Sequence, residues 1–447
     1  GEGTENSWRY QNGELLPGIA GSGSSSTNIL PFGADSAWEK NGSTWSTMYG
    51  GSRMTVTNAI AFGIDVSEHN GNINWAKAKA AGVEFAIIRC GYGMNQSNQD
   101  DKYFFQNVRG CLDNDIPFGI YLYSYADSTS RASSEADHVL RLLSEAGLSR
   151  AKVAYPIYYD LEEKSLEKTS NRALLANMAS TFCNKISNAG YAVGIYANKN
   201  WFDNYLTDPV FNKWTKWVAQ YPYSGTLNAK CSYSGTHDMW QCMSSGKVNG
   251  INTAVDINFD YRWYPPKLIS DGKGLRYRNP DGSFATGWRT VSGKTYYFGS
   301  DTYALKWEQT IDGKFYYFDT DYSMRTGWVT WNKDGTRTYF GSDGAALSGW
   351  QTIGGKRYYF DPAKQYHGAR WETTIDGKFY YFDTDCSMYT GLITWNRDGS
   401  KSFFDSNGVA VKGWKTVSGK TYYFGDSYYS LKWEQTIDGK FYYFDTD

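Results

Sequence analysis

The stretch YPIYYDLEEK, residues 155–164, is a short apolar run that ends in a group of carboxylates. On a β-strand, side chains two residues apart point to the same face, so Asp160 and Glu162 would project together, about 6–7 Å apart at the backbone. Two such carboxylates repel each other, and one of them tends to keep its proton at neutral pH. A general acid needs that property. A strand end that runs into a solvated acidic loop has the same pattern, so the rest of the chain must decide.

The composition of the 447-residue chain limits the functions to consider. This length predicts two or three domains. Lys plus Arg (45) nearly balances Asp plus Glu (46), which favours neither a nucleic-acid binder nor a polybasic membrane protein. No apolar stretch reaches the ~20 residues of a membrane span, and the opening GEGTENSW reads as a mature or trimmed N-terminus. Aromatic residues make up 18% of the chain, and their faces suit sugars and quaternary amines.

Metal and nucleotide motifs are missing from the sequence. The six cysteines form no CxxC pair and no zinc-ligand spacing; Cys231 and Cys242 either bridge a hairpin or remain free thiols. The four histidines form no HExxH, and the GKT within GWRTVSGKT lacks P-loop spacing and precedes a strand rather than a helix. We therefore expect no metal and no cofactor.

Composition divides the chain into four segments. Residues 1–57 are rich in Gly, Ser, Thr and Asn without sustained periodicity, which predicts an extended arm or a small appended hairpin of unknown role. Residues 58–265 have the pattern of a compact α/β domain, residues 266–277 that of a linker, and residues 278–447 repeat themselves.

The α/β segment contains eight predicted strands: FGIDVS, EFAIIRCG, FGIYLYSYA, AYPIYYDLE, YAVGIYAN, KWVAQY, DMWQCM and AVDINFD. Helical patterns begin at Asn74, Asp100, Ser130 and Asn171, with a shorter one near WFDNYL. This alternation predicts parallel βαβ units. Eight strands close naturally into a barrel, which would be irregular because little helix separates the late strands. The predicted fold is an irregular (β/α)8-type barrel followed by an all-β solenoid of hairpin repeats.

Alternation along three of these strands places carboxylates on a common side. Apolar residues alternate with Asp65 in the first strand, with Asp160 and Glu162 in the fourth, and with Asp256 in the eighth. An apolar face suits packing against outer helices, so we expect each acidic face to point into the barrel and reach its mouth at the C-terminal end of the strand. Each acid alone is unremarkable, but four that converge indicate an active site.

The order of these motifs resembles that of the family-25 glycoside hydrolases, the muramidase-type lysozymes. GIDVSEHNG, NINW, GYG, DIPFGIYLYSYA, YPIYYDLE, GIYAN, WVAQY, MWQ and VDIN carry the resemblance over roughly residues 60–264. It implies an irregular β/α barrel that cleaves the β-1,4 bond between N-acetylmuramic acid and N-acetylglucosamine. Many members carry an acidic residue after the second strand, where this chain has CGYG.

The resemblance also implies roles for particular residues. The general acid of the family falls on Glu162, with Asp160 two residues before it, and the acids of strands 1 and 8 fall on Asp65 and Asp256. Aromatic residues at strand ends would line the sugar groove: Tyr121, Tyr196, Trp217 and Trp240.

Glycoside hydrolysis needs one protonated carboxyl at the leaving oxygen and one ionised carboxylate that stabilises the oxocarbenium-like state. A DxE pair on one strand resembles substrate-assisted enzymes, in which the acetamido group of the sugar is the nucleophile. We therefore favour Glu162 as acid/base and Asp160 as the group that orients the acetamido, with retention of configuration. Direct attack by Asp160 or Asp65, and an inverting water, are the alternatives.

From residue 278 onward the sequence repeats a unit of 19–22 residues, for example GWRTVSGKTYYF and KWEQTIDGKFYYF. Each unit predicts two short strands joined by a Gly-containing turn, so about eight hairpins follow. A lone hairpin cannot bury its aromatic face, and successive hairpins must therefore stack into a solenoid. The units are headed by Trp288, Trp307, Trp328, Trp350, Trp371, Leu392, Trp414 and Trp433.

The units resemble the cell-wall-binding repeats of choline-binding proteins, glucan-binding domains and clostridial toxins. The resemblance implies that the seven tryptophans bind a wall polymer; in the choline binders such aromatics enclose a trimethylammonium group by cation–π contact. The Trp of the typical WYY is Thr, Phe or Arg here, so a glycan or another teichoic-acid substituent is an alternative ligand. Many of the aromatics also suit a purely structural core. Leu392 and Cys386 mark degenerate units.

These features predict a monomeric peptidoglycan N-acetylmuramidase, secreted and wall-associated or released at phage lysis. Its partners would be peptidoglycan glycan strands and, through the repeats, a wall polymer, with neither nucleic acid nor membrane insertion. Two alternatives stay open: a catalytically silent wall-binding or adhesin protein, and a hydrolase of another N-acetylhexosamine polymer such as chitin.

Overall fold

A computed structural model describes residues 37–447, together with the backbone of two short paired strands, Tyr10–Gln11 and Glu14–Leu15. Most of the predicted N-terminal arm therefore lies outside the described residues. The chain forms two compact units: one reaches Ser270 and includes Arg276–Ala285, and the other comprises Asp271–Leu275 and Thr286–Asp447. In the described residues, no helix is long and apolar enough to cross a membrane.

Eight strands close into a barrel within the first unit, as the sequence predicts. They are β1 (Ala61–Val66), β2 (Phe85–Tyr92), β3 (Phe118–Tyr123), β4 (Ile157–Asp160), β5 (Val193–Asn198), β6 (Thr215–Ala219), β7 (Met239–Gly246) and β8 (Val255–Asp260).

The last barrel strand runs against the others. Neighbouring strands from β1 to β7 are parallel, whereas β8 is antiparallel to both β7 and β1. Only residues 247–254 connect β7 to β8, and a connection that short joins antiparallel strands, because a parallel pair needs a crossover of about a dozen residues or more. The irregularity expected late in the barrel is therefore a reversed strand.

Helices follow the early strands at or close to the predicted positions. They are α1 (Trp75–Ala80), α2 (Phe104–Asp113), α3 (Thr129–Glu145), α4 (Arg172–Asn188) and α5 (Lys199–Asn204). Side-chain oxygens cap the starts of three of them: Asn74 accepts from the N–H of Lys77, Ser128 from that of Arg131, and Asn198 from that of Trp201. Short 3-10 turns lie at Glu68–Asn70, Ser97–Gln99, Arg150–Lys152, Lys164–Leu166, Thr169–Asn171, Pro209–Lys213 and Pro362–Lys364.

A three-stranded antiparallel sheet precedes the barrel. Its strands are Glu39–Asn41, Thr44–Tyr49 and Ser52–Thr57. Trp45 of its second strand and Trp38, which precedes its first, are buried, and their rings contact Phe259 of β8 at centroid separations of 5.5 and 5.2 Å. The sheet thus shares the hydrophobic core of the barrel, so this part of residues 1–57 is neither an arm nor a separate hairpin. The six cysteines are all free thiols, Cys231 and Cys242 included.

The predicted alternation holds in the three strands that carry the acids. The apolar members of β1, β4 and β8, such as Ile64, Tyr159 and Ile257, pack in the core outside the barrel. The alternate residues face the interior, where Phe85, Tyr158 and other aromatics form a second, smaller core. The acids lie on this interior side, because a strand places successive side chains on opposite faces.

The second unit is built of two-stranded hairpins. The predicted linker forms most of a preceding hairpin, Lys267–Asp271 with Gly274–Arg278, whose residues are divided between the two units. Eight more follow: Gly287–Val291 with Lys294–Phe298, Trp307–Ile311 with Lys314–Phe318, Gly327–Thr330 with Arg337–Phe340, Gly349–Ile353 with Lys356–Asp361 (joined by His367–Gly368), Trp371–Ile375 with Lys378–Phe382, Gly391–Thr394 with Lys401–Phe404, Gly413–Val417 with Lys420–Phe424, and Trp433–Ile437 with Lys440–Phe444.

Backbone hydrogen bonds tie most of the hairpins to the hairpin before them. The segment that leaves one hairpin donates to the hairpin before it: Met324 N–H to the carbonyl of Thr295 at 2.7 Å, and Ala346 N–H to that of Phe315 at 2.8 Å. The tight turns have the expected geometry, since Asp312 and its following Gly313 both have positive φ, 49° and 77°. The hairpins therefore stack in register along the chain.

Glu135 of α3 is a buried carboxyl group behind the ends of β3 and β4. Its Oε1 accepts hydrogen bonds from the hydroxyls of Ser124 at 2.7 Å and Tyr159 at 2.6 Å, and its Oε2 accepts from the N–H of Tyr125 at 2.9 Å. Burial raises the pKa of Glu135 from 4.5 to about 7, although these hydrogen bonds lower it. Because the N–H of Ser124 also bonds to the carbonyl of Asp160, Glu135 helps to fix the strand that carries this acid.

We expect the barrel to lose stability as the pH rises between 4.5 and about 7, because folded Glu135 holds its proton more tightly than the unfolded chain does. The stabilisation is complete below this range and absent above it. Glu135→Gln should reduce the change in the free energy of unfolding across this pH range by up to about 3 kcal/mol. The amide oxygen can accept from Tyr125, and the amide nitrogen can donate to Ser124 or Tyr159. Urea unfolding at a series of pH values measures the change.

Glu145→Gln is the matched control, because Glu145 lies on the same helix with a side chain that is 49% exposed. It should leave the profile unchanged. Some slope should persist in Glu135→Gln, since burial also raises the pKa of Asp260 to about 7. A Glu135→Gln profile as steep as that of the unchanged protein would contradict the assignment.

Candidate active site

Asp65 of β1 and Asp256 of β8 are direct partners across the antiparallel pair that closes the barrel. Both side chains are buried. The pKa of Asp65 lies well above its usual range, because burial and then the charge of Asp256 disfavour ionisation. A hydrogen bond to Asp256 raises this pKa further, which is the direction expected when Asp65 is the donor. The reversed direction of β8 corrects one expectation: Asp256 reaches Asp65 from the N-terminal start of its strand.

Two side-chain amides hold the other side of Asp65. Its Oδ2 accepts from Nδ2 of Asn258 and from Nε2 of Gln241, each at 2.8 Å. The indole Nε1 of Trp217 donates to Oδ1 of Asn258 at 2.7 Å, and the Tyr196 hydroxyl donates to Oε1 of Gln241 at 2.9 Å. An indole N–H can only donate, so it fixes the orientation of Asn258 and turns the NH₂ of that amide toward Asp65.

Asp160 ends β4, and the barrel pairing continues beyond it, since the N–H of Leu161 bonds to the carbonyl of Tyr196 at 2.9 Å. Asp160 is fully buried and Glu162 is 6% exposed. Burial raises the pKa of Asp160 well above its usual range, whereas a hydrogen bond with Glu162 and the charge of Arg89 lower it. Asp160 and Glu162 therefore form an interacting acidic pair, whose protonation belongs to both groups together.

Arg89 of β2 brings a guanidinium into this acidic interior. It is completely buried, on the same face of β2 as Phe85 and Ile87. Its Nε donates to Oδ2 of Asp101 at 2.8 Å, and its Nη2 lies 3.6 Å from Oε1 of Glu68. A buried charge needs partners of opposite sign, and this one lies among carboxylates. The second strand thus contributes a positive charge to the site.

The predicted aromatic residues lie in different places. Tyr121, Tyr196 and Trp217 point into the barrel, but each is only 1% exposed, and together they form a floor beneath the carboxylates. Trp240 lies on the opposite face of β7 in the outer core, and its Nε1 donates to the carbonyl of Gln220 at 2.7 Å. Its predicted place in the sugar groove is therefore wrong, and Gln241 takes the inward position.

A cavity of about 290 Å³ lies at the ends of β2 and β3, and Glu135 is the carboxyl group in its lining. Tyr92 and Tyr125 form part of its lining, and their rings meet edge to face at 6.0 Å. Burial raises the pKa of Tyr125 to about 12; Arg89 lowers it, and Glu163 and Glu162 raise it, which places this ring in the field of the site. Aromatic faces of this kind suit the apolar face of a sugar ring.

The sequence predicted that the four acids lie close together, but the polar residues around them were not predicted. Arg89, Gln241 and Asn258 each interrupt an apolar strand with a polar residue of the inward parity. That is a readable signal, because a buried polar side chain in a strand requires a partner. The contribution of Tyr92 and Tyr125 depends on how the loops after β2 and β3 fold, and no local pattern reveals it.

In the second unit, the tryptophans that head the hairpins differ in exposure. Trp328 and Trp350 are half-buried, and Leu392 replaces the aromatic side chain in the sixth hairpin. The exposed ones are Trp288 (38%), Trp307 (46%), Trp371 (44%), Trp414 (44%) and Trp433 (51%).

Two family models match the chain. Residues 64–251 match the glycosyl hydrolases of family 25. Residues 286–301, 348–362 and 412–427 match the choline-binding type of cell wall binding repeat, and these are the units headed by Trp288, Trp350 and Trp414. Lysozyme M1 of Streptomyces globisporus is 26% identical over 205 residues, which cover 43% of this chain and 65% of that protein. The chain thus spans a little under two thirds of the length of that relative.

Similar solved structures include two modular proteins. The autolysin LytC of Streptococcus pneumoniae, solved with a synthetic peptidoglycan ligand, is 25% identical over 50% of this chain and 58% of its own, with a TM-score of 0.39. The Cpl-1 endolysin, solved with a peptidoglycan analogue, is 21% identical over 81% of this chain and 97% of its own, with a TM-score of 0.34.

The barrel of eight strands, the four acids and the match over residues 64–251 agree with one another. The chain therefore contains a glycosyl hydrolase family 25 domain, which is a domain of glycoside hydrolases, followed by cell wall binding repeats of the choline-binding type.

Proposed function

We propose that the barrel hydrolyses the β-1,4 bond between N-acetylmuramic acid and N-acetylglucosamine in peptidoglycan. The observation that carries the proposal is the pairing of four buried carboxyl groups inside one barrel, Asp65 with Asp256 and Asp160 with Glu162, with the buried guanidinium of Arg89 lowering the pKa of Asp160. Such pairs share a proton instead of ionising completely, which supplies an acid and a carboxylate at the same pH. Glycoside hydrolysis uses that combination.

Glu162 is the general acid in this proposal. It is the less buried member of its pair, 6% exposed against 0% for Asp160, so it is the carboxyl group that the incoming glycosidic oxygen can reach. Proton transfer from Glu162 lets the C–O bond break, and the anomeric carbon develops positive charge. Asp160 accepts a hydrogen bond from the acetamido N–H of the sugar and turns the acetamido oxygen toward that carbon. The oxygen bonds to the carbon as the leaving group departs, and a water deprotonated by Glu162 then opens the ring that has formed.

Asp65 and Asp256 lie across the site from this pair and supply the remaining negative field. The two amides that bond to Asp65 favour its ionised form, while Asp256 disfavours it. A partly ionised pair stabilises positive charge that develops at the sugar. This sequence of steps retains the anomeric configuration, whereas direct attack by water inverts it; NMR of the first-formed anomer distinguishes the two.

The repeats hold the enzyme on its substrate. Five exposed tryptophans along stacked hairpins offer several aromatic faces to a wall polymer, while the acids lie in the other unit. Several weak sites on one chain raise the effective concentration of the wall near the barrel. The protein in this proposal acts outside the cell, at the wall.

Glu162→Gln keeps the shape of the side chain but cannot transfer a proton, so we expect wall hydrolysis to fall about 10²–10⁴-fold. The release of reducing ends from purified walls measures the rate, and muramic acid at the new ends identifies the bond. Glucosamine ends would point to a different linkage.

Glu163→Gln is the control, because Glu163 is the next residue and its Oε1 accepts hydrogen bonds from the N–H and the hydroxyl of the exposed Ser165. It should retain nearly full activity. The role of Glu162 would be refuted if Glu162→Gln kept more than a tenth of the activity of the unchanged protein.

Asp160→Asn should cost a comparable factor, about 10²–10⁴-fold, because the variant no longer presents an anion to the acetamido group or to Glu162. We also expect the alkaline limb of the pH–rate profile to move to lower pH, since the neighbouring negative charge that raises the pKa of Glu162 is lost. A pH profile that keeps its position while the rate falls would mean that Asp160 only positions the substrate.

A chain shortened to end at Ala285 keeps the whole first unit, including the barrel, and lacks the eight repeats. We expect its turnover of small soluble glycan fragments to equal that of the full chain, because the repeats hold none of the four acids. Activity on intact walls should fall by about 10²–10⁴-fold, the range over which tethering multiplies affinity.

Trp350→Ala in the full chain is the companion variant, since one face among several should contribute little alone. Equal losses on fragments and on walls in the shortened chain would show that the repeats belong to the active site instead of forming a separate anchor.

A further inference from the structure

Four hairpin tryptophans form the same aromatic cluster. Each packs edge-on against a tyrosine of its own hairpin and a tyrosine of the next; for Trp350 the centroid separations are 5.1 Å to Tyr359 and 4.9 Å to Tyr380. The four clusters, which we name by their tryptophans, are Trp288 with Tyr297 and Tyr316, Trp328 with Tyr339 and Tyr358, Trp350 with Tyr359 and Tyr380, and Trp414 with Tyr423 and Tyr442.

In two clusters, a guanidinium of the chain lies over the indole. The guanidinium carbon of Arg337 is 3.9 Å from the centroid of Trp328, and that of Arg357 is 4.6 Å from the centroid of Trp350. At these distances a cation is attracted to the electron-rich face of the indole ring. Arg337 is also fixed by hydrogen bonds from its Nε, at 3.0 Å, and its Nη2 to the carbonyl of Asp385.

The other two clusters carry threonine at the position of the arginine. Thr295 and Thr421 occupy the place in the hairpin register that Arg357 has in its own, opposite the threonine two residues after the tryptophan. Their hydroxyls bond across the hairpin, Thr295 to Thr290 at 3.2 Å and Thr421 to its counterpart at 2.9 Å. The exposure of the indoles follows the same division, since Trp288 and Trp414 are 38% and 44% exposed while the other two are half-buried.

The sixth hairpin shows what the cation does when the indole is missing. Leu392 replaces the tryptophan there, and Lys401 has the register position that Arg337 has in the third hairpin. Its Nζ bonds to Thr394 Oγ1 at 2.7 Å. In the third and fourth hairpins, where the tryptophan is present, the cation at this register position lies over the indole face instead.

We propose that Arg337 and Arg357 are built-in occupants of the Trp328 and Trp350 clusters, and that among these four only the Trp288 and Trp414 clusters admit a cationic group from outside. The inference rests on the proposed anchoring role of the repeats and specifies which of their faces take a ligand. The chemical class of the ligand follows from the arginines that occupy the other two clusters. Each cluster consists of aromatic rings without a carboxylate, so it suits a monovalent organic cation such as a quaternary ammonium group.

Isothermal titration of the full chain with choline chloride counts the sites. Arg357→Thr converts the fourth hairpin to the residue found in the first and seventh, and we expect the number of bound cations to rise by one. Thr295→Arg and Thr421→Arg should each lower it by one. Lys356→Thr is the control, because it removes the same charge beside Arg357, from a side chain paired with Asp385, without uncovering an indole.

Quenching of tryptophan fluorescence by acrylamide provides a readout without ligand, and it should increase in Arg357→Thr but not in Lys356→Thr. An unchanged number of sites in Arg357→Thr would overturn the proposal. So would the complete lack of choline binding in the unchanged protein and in every variant. Retention of the unchanged protein on purified walls is measured separately, so a failure of the cation proposal is distinguishable from a failure of wall anchoring.

Discussion

Four carboxyl groups inside one closed barrel would repel each other, and much of the surrounding structure makes that placement possible. The hydrogen bond between Asp65 and Asp256 lets one proton serve two acids, and Arg89 supplies the opposite charge. Below the acids, aromatic side chains exclude water and at the same time aim the amides of Asn258 and Gln241. The barrel thus keeps its acids protonated in part, because complete ionisation in a dry interior is too costly.

The reversed last strand is the second element of this arrangement. An inward residue near the start of β8, Asp256, meets one near the end of β1, Asp65, because antiparallel partners run in opposite directions. The same strand carries Asp260 at its far end, where it accepts a hydrogen bond from Tyr155 at 2.8 Å. A register slip of one residue would place Val255 or Ile257, instead of Asp256, opposite Asp65.

Local periodicity was enough to predict the barrel and the convergence of its acids, since a strand alternates faces whatever its neighbours are. The direction of β8 was not predictable in that way, because it depends on how the chain closes the barrel. The position of Trp240 was predicted wrongly for a related reason. In a mostly apolar strand such as DMWQCM, the apolar residues do not reveal which alternate side chains face the interior of the barrel, and only the polar Gln241 indicates it. The burial of Trp38 and Trp45 in the core was not predictable either, because the stretch around them is rich in Gly and Ser.

The stacking bonds of the hairpins have a consequence for how such an array changes over evolutionary time. Most hairpins share the same backbone contact with their predecessor, as in the bonds of the Met388 N–H to the carbonyl of Arg357 and of the Ala410 N–H to that of Phe379. A unit inserted by gene duplication contacts the same kind of neighbour as the original unit did, so the array can gain or lose units without changes to a common core. The identical stretches KWEQTIDGKFYYF at residues 306–318 and 432–444 are what such copying leaves behind.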